Sequence, residues 1–348
     1  MDFLNEYDFH LPDEQIAKFP LENRDESRLL VVDIGQSKFW EAPLFRDITA
    51  LVRPGDVFVY NETKVSYRRV YLQVESGRIH ESIFLESVDQ SNQGWLCILK
   101  NRAKLKLGGM LSPVGFKNFR FSFQGPKEEL SILFSETPIS DSDFAIFGNI
   151  PIPPYLKRNV TEEDKIRYQT IFANRSGSVA APTAGLHFTE DLKESLRKLG
   201  AEFLPVELQI GYGTFRPLTP EQWQTKTLHK EKYFVSESTA SKLNDARKEG
   251  RRIIAVGTTT LRVLETVFDS QLQKYKVGSS QTDIFLSPGN RIQSVQGLIT
   301  NFHLPKSSLL LLVSAFANTQ LVLDVYQYAL QNRFRFYSYG DSMFLFQK

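Results

Sequence analysis

The chain has 348 residues, 41% of them hydrophobic and 24% charged, with 27 phenylalanines. These are ordinary globular proportions that exclude a disordered or fibrous protein and suit about two domains. Lys and Arg number 42 against 40 Asp and Glu, a formal charge of +2, so a nucleic acid could be met only by a local basic patch. A lone cysteine, Cys97, excludes an internal disulfide, a four-cysteine zinc site and an iron–sulfur cluster.

The acidic start MDFLNEYDFHLPDEQIA lacks a basic stretch followed by an apolar one, the mark of a secretory signal. The most apolar run, LLLLVSAFA at 309–317, is about half the length of a membrane span. The expectation is a soluble, cytoplasmic protein.

In chain order, residues 1–66 predict a short helix at about 12–18 and strands at 27–34 and 56–61. From 67 to 150 the texture changes to short alternating runs (YRRVYLQVE, RIHESIFLESV, GWLCILKNRAKLKL, FRFSFQ, ELSILFSE) separated by Gly, Ser, Asn and Pro turns. That pattern predicts a small antiparallel barrel. After 151 strands and helices alternate: a helix capped by Thr189 and running to Leu199, strands at 201–210 and 251–256, helices at 238–248, 261–268 and 307–317, and a closing strand at 333–339. The predicted fold is a mixed-sheet α/β domain, residues 1–66 and 151–348, interrupted by an inserted β-barrel, residues 67–150.

Several segments could carry chemistry. In SVAAPTAGLHFTEDL (178–192), Pro182 to Gly185, including Thr183, form a small-residue connection that lets a ligand approach the backbone, with His187 beside it. An ordinary helix-entry loop has the same pattern. In VGTTTLR (256–262), Gly257, Thr258 and Thr259 sit at a helix N-terminus, where amides and hydroxyls suit an anion and Arg262 could add charge. A plain threonine cap reads alike. LITNFHLPKSS (298–308) gathers Asn301, His303 and Lys306 in one loop. TLHKEKYFV (227–235) puts His229 and Glu231 on one side of a strand. Lys100, Arg102, Lys104 and Lys106 alternate strictly. On a strand they would form a cationic row suited to phosphates, or an ordinary solvated edge.

Taken together, these segments resemble the S-adenosylmethionine:tRNA ribosyltransferase-isomerases of bacterial queuosine biosynthesis. The likeness includes DFHLPDEQIAKFPLENRDESRLL, RPGDVFVYNETKV, IPIPPYL, RYQTIFA, SVAAPTAGLHFT, IGYGTFRP, LHKEKY, AVGTTTLR, TDIFLSPG, GLITNFHLPKSSLLLLVSAFA and FRFYSYGDSM, in register nearly end to end. The chain departs from the family pattern at Ser66 and Tyr67, at Gln209, and after Pro288-Gly289.

The resemblance implies an α/β domain interrupted by a β-barrel. It also implies transfer of the ribosyl part of S-adenosylmethionine to 7-aminomethyl-7-deazaguanine at the wobble position of tRNA. Isomerisation there gives epoxyqueuosine and releases adenine and methionine. The donor is consumed, its own positive sulfur activates the reaction, and neither a metal nor a further cofactor is implied. A proton leaving the carbon beside sulfur requires a base, for which His187, His229, Glu231 and His303 are the candidates. Thr183, Gly185, Gly257, Thr258, Thr259, Arg262, Asn301 and Lys306 are the candidate substrate-binding residues, and the cationic row 100–106 the candidate tRNA contact. The alternative reading is a tRNA-binding protein that kept the fold and lost the activity. The four candidate acids and bases argue against it.

Overall fold

The computed structural model describes residues 2–211, 213 and 218–347. A nine-stranded mixed sheet forms the body. Its order is Gly278–Ile284, Thr227–Val235, Glu202–Leu208, Val57–Asn61, Ile253–Val256, Gly297–Asn301, Ser342–Phe346, Leu29–Asp33 and Lys38–Ala42. The four strands from Glu202–Leu208 to Gly297–Asn301 are parallel, and the direction reverses between Gly297–Asn301 and Ser342–Phe346.

Alternation along the strands divides the core between the two faces. Leu30, Val32, Val57 and Val59 pack under the helices Glu237–Lys248, Thr258–Val267, Ser308–Phe316 and Thr319–Gln331. Leu29, Val31 and Phe58 face the opposite side, against Phe188, Leu192 and Leu196 of the segment ending in helix Glu190–Lys198. That helix begins as its sequence predicts, Thr189 Oγ1 accepting from the Leu192 amide at 3.1 Å. With both faces covered, Ile253–Val256 and residues 29–32 are apolar throughout rather than alternating.

Six antiparallel strands between Arg69 and Ser135 close into a barrel. Phe84, Trp95, Cys97, Phe121 and Leu133 fill it, and the helix Asp141–Phe147 plugs it with Phe144 and Phe147. Arg68 lies over the rings of Trp95 and Phe144, 4.5 Å from each centroid. The inserted barrel on a mixed-sheet α/β body is the fold predicted from the sequence.

Three predicted elements differ. The helix at 12–18 is only a 3-10 turn, Asp13–Gln15, between Pro12 and Pro20, and Ile16 bridges Phe336 in extended conformation. The closing strand at 333–339 is absent: Arg333 and Tyr337 have φ of 55° and 70°, values a strand does not tolerate, and Ser342–Phe346 is the last strand. The helix read at 261–268 starts earlier, at Thr258. Among the described residues, no single helix is long and apolar enough to cross a membrane.

Candidate functional site

The parallel strands Ile253–Val256 and Gly297–Asn301 end side by side, next to the place where the sheet reverses direction, the position where open α/β sheets hold ligands. A cavity opens there, about 990 Å³ with the open space at its mouth included. Residues 180–184, 257–259 and 300–307 line it, closed by Tyr155, Ile210, Leu309, Tyr337 and Ser338. Three segments spread over more than a hundred residues of sequence thus share one wall.

Gly257 links strand to helix with φ 97°, a conformation that favours glycine. The N-terminus of helix Thr258–Val267 therefore points into the cavity, with Thr258 and Thr259 in its lining. Thr260 donates back to the Val256 carbonyl at 2.8 Å. Thr259 Oγ1, by contrast, is buried without a hydrogen-bond partner among the described residues. Such a hydroxyl costs stability unless a ligand satisfies it.

Arg262, one turn further on, does not face this cavity. Its guanidinium is bound to the Glu231 carboxylate, both side chains 5% exposed, and Glu231 also accepts from the Gly211 amide at 2.9 Å. The two line a separate small cavity with His229, an exposed residue on the same strand. Arg262 is therefore committed to an ion pair and adds no charge to the helix N-terminus.

Asn301 organises the far wall. Its Nδ2 donates to the Tyr337 carbonyl at 3.1 Å and to His187 Nε2 at 2.9 Å, while Oδ1 accepts from Thr183 Oγ1 at 2.8 Å. Because a carbonyl only accepts, the amide orientation is fixed, Nε2 is an acceptor, and the His187 proton lies on Nδ1, donated to Ser27 Oγ at 2.7 Å. Burial, then the positive charges of Arg335 and Arg24, hold His187 neutral with its pKa down to about 3. His187 stands behind Asn301 and is not part of the cavity lining.

His303 is part of that lining. Its Nε2 lies 2.8 Å from Thr300 Oγ1, and its amide donates to the Tyr326 hydroxyl oxygen at 2.9 Å. Burial depresses its pKa to about 3. Lys306 stands at the rim, paired with Asp8. Gly185 packs against Thr170 and Phe172 instead of lining the cavity; an added Cβ would sit 2.9 Å from Thr170 Cγ2.

The cationic row is not a strand. The strand Gly94–Leu99 ends before it, Asn101 turns the chain at φ 59°, and Arg102–Lys104 is a 3-10 turn. Lys100 pairs with Glu81 at 2.6 Å, and Arg102 donates to the Leu130 and Glu128 carbonyls. Lys104 and Lys106 are exposed. The four cations therefore do not share a face.

Sequence reasoning passed over Tyr155 and Tyr337, whose rings stack at 4.3 Å and 18° in the cavity wall, and Ser338, which the Tyr155 hydroxyl contacts. IPIPPYL and FRFYSYGDSM carried the signal, but only the fold brings 155 beside 337. Of the motif IGYGTFRP, Tyr212 and Thr214–Pro217 lie outside the described residues.

Residues 4–345 match the family described as queuosine biosynthesis protein. The chain belongs to that family. It is 39% identical over 355 residues, covering 98% of this chain and 99% of the other, to the S-adenosylmethionine:tRNA ribosyltransferase-isomerase of Syntrophotalea carbinolica. A solved structure of S-adenosylmethionine tRNA ribosyltransferase from Thermotoga maritima is similar over 98% of this chain and all of the other, at 32% identity and a TM-score of 0.57. Within this queuosine biosynthesis family member, the segments at 180–184, 257–259 and 300–307 are those that converge on the cavity.

Proposed function

We propose that the chain transfers the ribosyl group of S-adenosylmethionine to the aminomethyl nitrogen of 7-aminomethyl-7-deazaguanine in tRNA and isomerises it, yielding epoxyqueuosine, adenine and methionine. Family membership over the whole chain supports the reaction class. The observation that carries the assignment of a site is the single cavity built from the 180–184, 257–259 and 300–307 segments at the strand ends.

Each demand of the reaction finds a candidate there. The donor's methionine carboxylate suits the helix N-terminus at Thr258 and Thr259, whose amides and unpartnered Oγ1 can donate. The stacked Tyr155 and Tyr337 offer a face to adenine or to the sulfonium. The proton leaving the carbon beside sulfur needs a neutral acceptor at the wall, and His303 is the histidine in that position. Burial holds its ring neutral, the protonation state an acceptor requires. His187 acts through Asn301, as a positioning residue. Activation comes from the donor's sulfonium, which asks for no metal or second cofactor. A cytoplasmic setting follows from tRNA as the substrate.

The test is to incubate the protein with S-adenosylmethionine and tRNA bearing the aminomethyl base and to follow free adenine and methionine. Adenine release that requires the modified tRNA is expected. Release without RNA would make the protein a hydrolase, and none under any condition would leave only tRNA binding.

A further inference from the structure

A second, smaller cavity adjoins the first, and Ser338 lines both. It is a shallower concavity than its neighbour and more open to solvent. Arg24, Arg167 and Arg335 line it together with Ser27, His187 and the turn at 338–340, and no acidic side chain does.

The charges of this lining are incompletely balanced. The Arg24 guanidinium donates to the Gln169 and Ile166 carbonyls at 2.6 and 3.0 Å and has no carboxylate partner among the described residues. Arg167 donates to the Glu22 and Leu21 carbonyls and reaches the exposed Glu163 at 3.5 Å. Arg335 meets Asp341 at 3.4 Å, but that carboxylate already accepts the Arg28 and Arg335 amides at 3.0 and 2.8 Å. Burial and the neighbouring Arg167 push the Arg24 pKa down to about 10, the mark of a cation lacking its counter-ion. Planar guanidiniums gathered in one small concavity suit an oxyanion, a phosphate among them.

We infer that this cavity holds one backbone phosphate of the RNA substrate, beside the nucleotide whose base enters the larger cavity. The inference rests on the reading of the chain as an enzyme acting on tRNA. The shared Ser338 wall sets the two subsites next to each other, as base and phosphate of one unstacked nucleotide or its neighbour are. Arg24 is clamped by two carbonyls and His187 by Ser27 and Asn301, so the subsite is preformed.

The experiment measures binding of tRNA bearing the aminomethyl base, as a function of salt, for the parent, Arg335→Gln, Arg167→Gln and Arg335→Lys. Binding of S-adenosylmethionine alone and adenine release are followed in parallel. Each Gln variant is expected to weaken tRNA binding roughly tenfold and to lower the salt slope by about 0.7, the value for one lost phosphate on a single strand. Affinity for S-adenosylmethionine should not change, and Arg335→Lys should restore most of the slope. A parent that binds tRNA and releases adenine, with Gln variants of the same slope, would overturn the subsite and leave the function standing. A parent that neither binds nor reacts would overturn the functional reading, and the subsite with it. Stabilisation of the parent by inorganic phosphate, lost in the Gln variants without change in the RNA slope, would make this a free-anion pocket and also overturn the RNA assignment.

Discussion

Asn301 Nδ2 donates to His187 Nε2 at 2.9 Å, and through that bond a residue in the cavity wall fixes the tautomer of a histidine outside it. Asn301→Asp removes the donor and places a carboxylate against the Tyr337 carbonyl and the His187 ring. The imidazole then gains its second proton, and Thr183 loses its fixed acceptor orientation. A fall of at least about 10²-fold in single-turnover rate is expected, with a large upfield shift of the His187 Nε2 resonance by nitrogen NMR as it gains its proton. A rate within a few-fold of the parent would strip this bond of importance.

The two buried histidines separate in the same assay. His303→Ala is expected to lose about 10²–10⁴-fold in single-turnover rate while tRNA binding and folding persist. His187→Ala should act mainly through the loosened Asn301, and Asn or Gln at 187 should rescue part of the loss. The reverse ranking would move the proton acceptor to His187.

Both histidines also tie stability to pH. Each is neutral when folded, with pKa about 3, whereas an unfolded histidine titrates near 6.5. The unfolded chain thus binds more protons between those values, so stability is full above about pH 6.5 and falls as the pH drops toward 3. Each histidine contributes about 1.4 kcal/mol per pH unit. Urea unfolding at pH 7, 6 and 5 should show this slope, and His303→Gln should flatten it; an unchanged slope would mean His303 is not buried neutral.

Val at both Thr258 and Thr259 should raise the Michaelis constant for S-adenosylmethionine and leave tRNA affinity alone, since these residues line the cavity at the helix N-terminus. The opposite pattern would assign this turn to RNA phosphate.

Glu231→Ala is expected to act on stability. It leaves the Arg262 guanidinium buried without a counter-charge, a change that costs about 3–5 kcal/mol. The denaturant midpoint should fall, with the residual folded enzyme keeping its rate. A folded but inactive variant would return Glu231 to the acid–base candidates.

Much of the cavity lining was legible because its segments lie in loops between a strand and a helix, where Gly257 takes the positive φ that joins the two. The cationic row misled because alternation is only a necessary sign of a strand. Asn101 in the left-handed region breaks the run after Leu99, and no neighbouring residue announces it. The alternating Arg and Phe of 333–336 misled for a similar reason: Phe334 and Phe336 are buried by packing onto Phe302, and the segment pairs only through the single bridge from Phe336 to Ile16. Arg262 read as an anion ligand from helix position alone, since its partner Glu231 arrives from a strand 31 residues earlier.

The stem that carries the barrel is stitched as tightly as a sheet. Outgoing Thr63–Val65 and returning Arg175–Ser178 pair in parallel, Thr63 Oγ1 and Ser178 Oγ meet at 2.6 Å, and Gln169 clasps both the amide and the carbonyl of Val65. The returning strand runs, a few residues on, straight into the cavity wall at 180–184. A strain taken up at the base of the barrel therefore has a short hydrogen-bonded route to the candidate cavity, through a strand that bulges at Gly177.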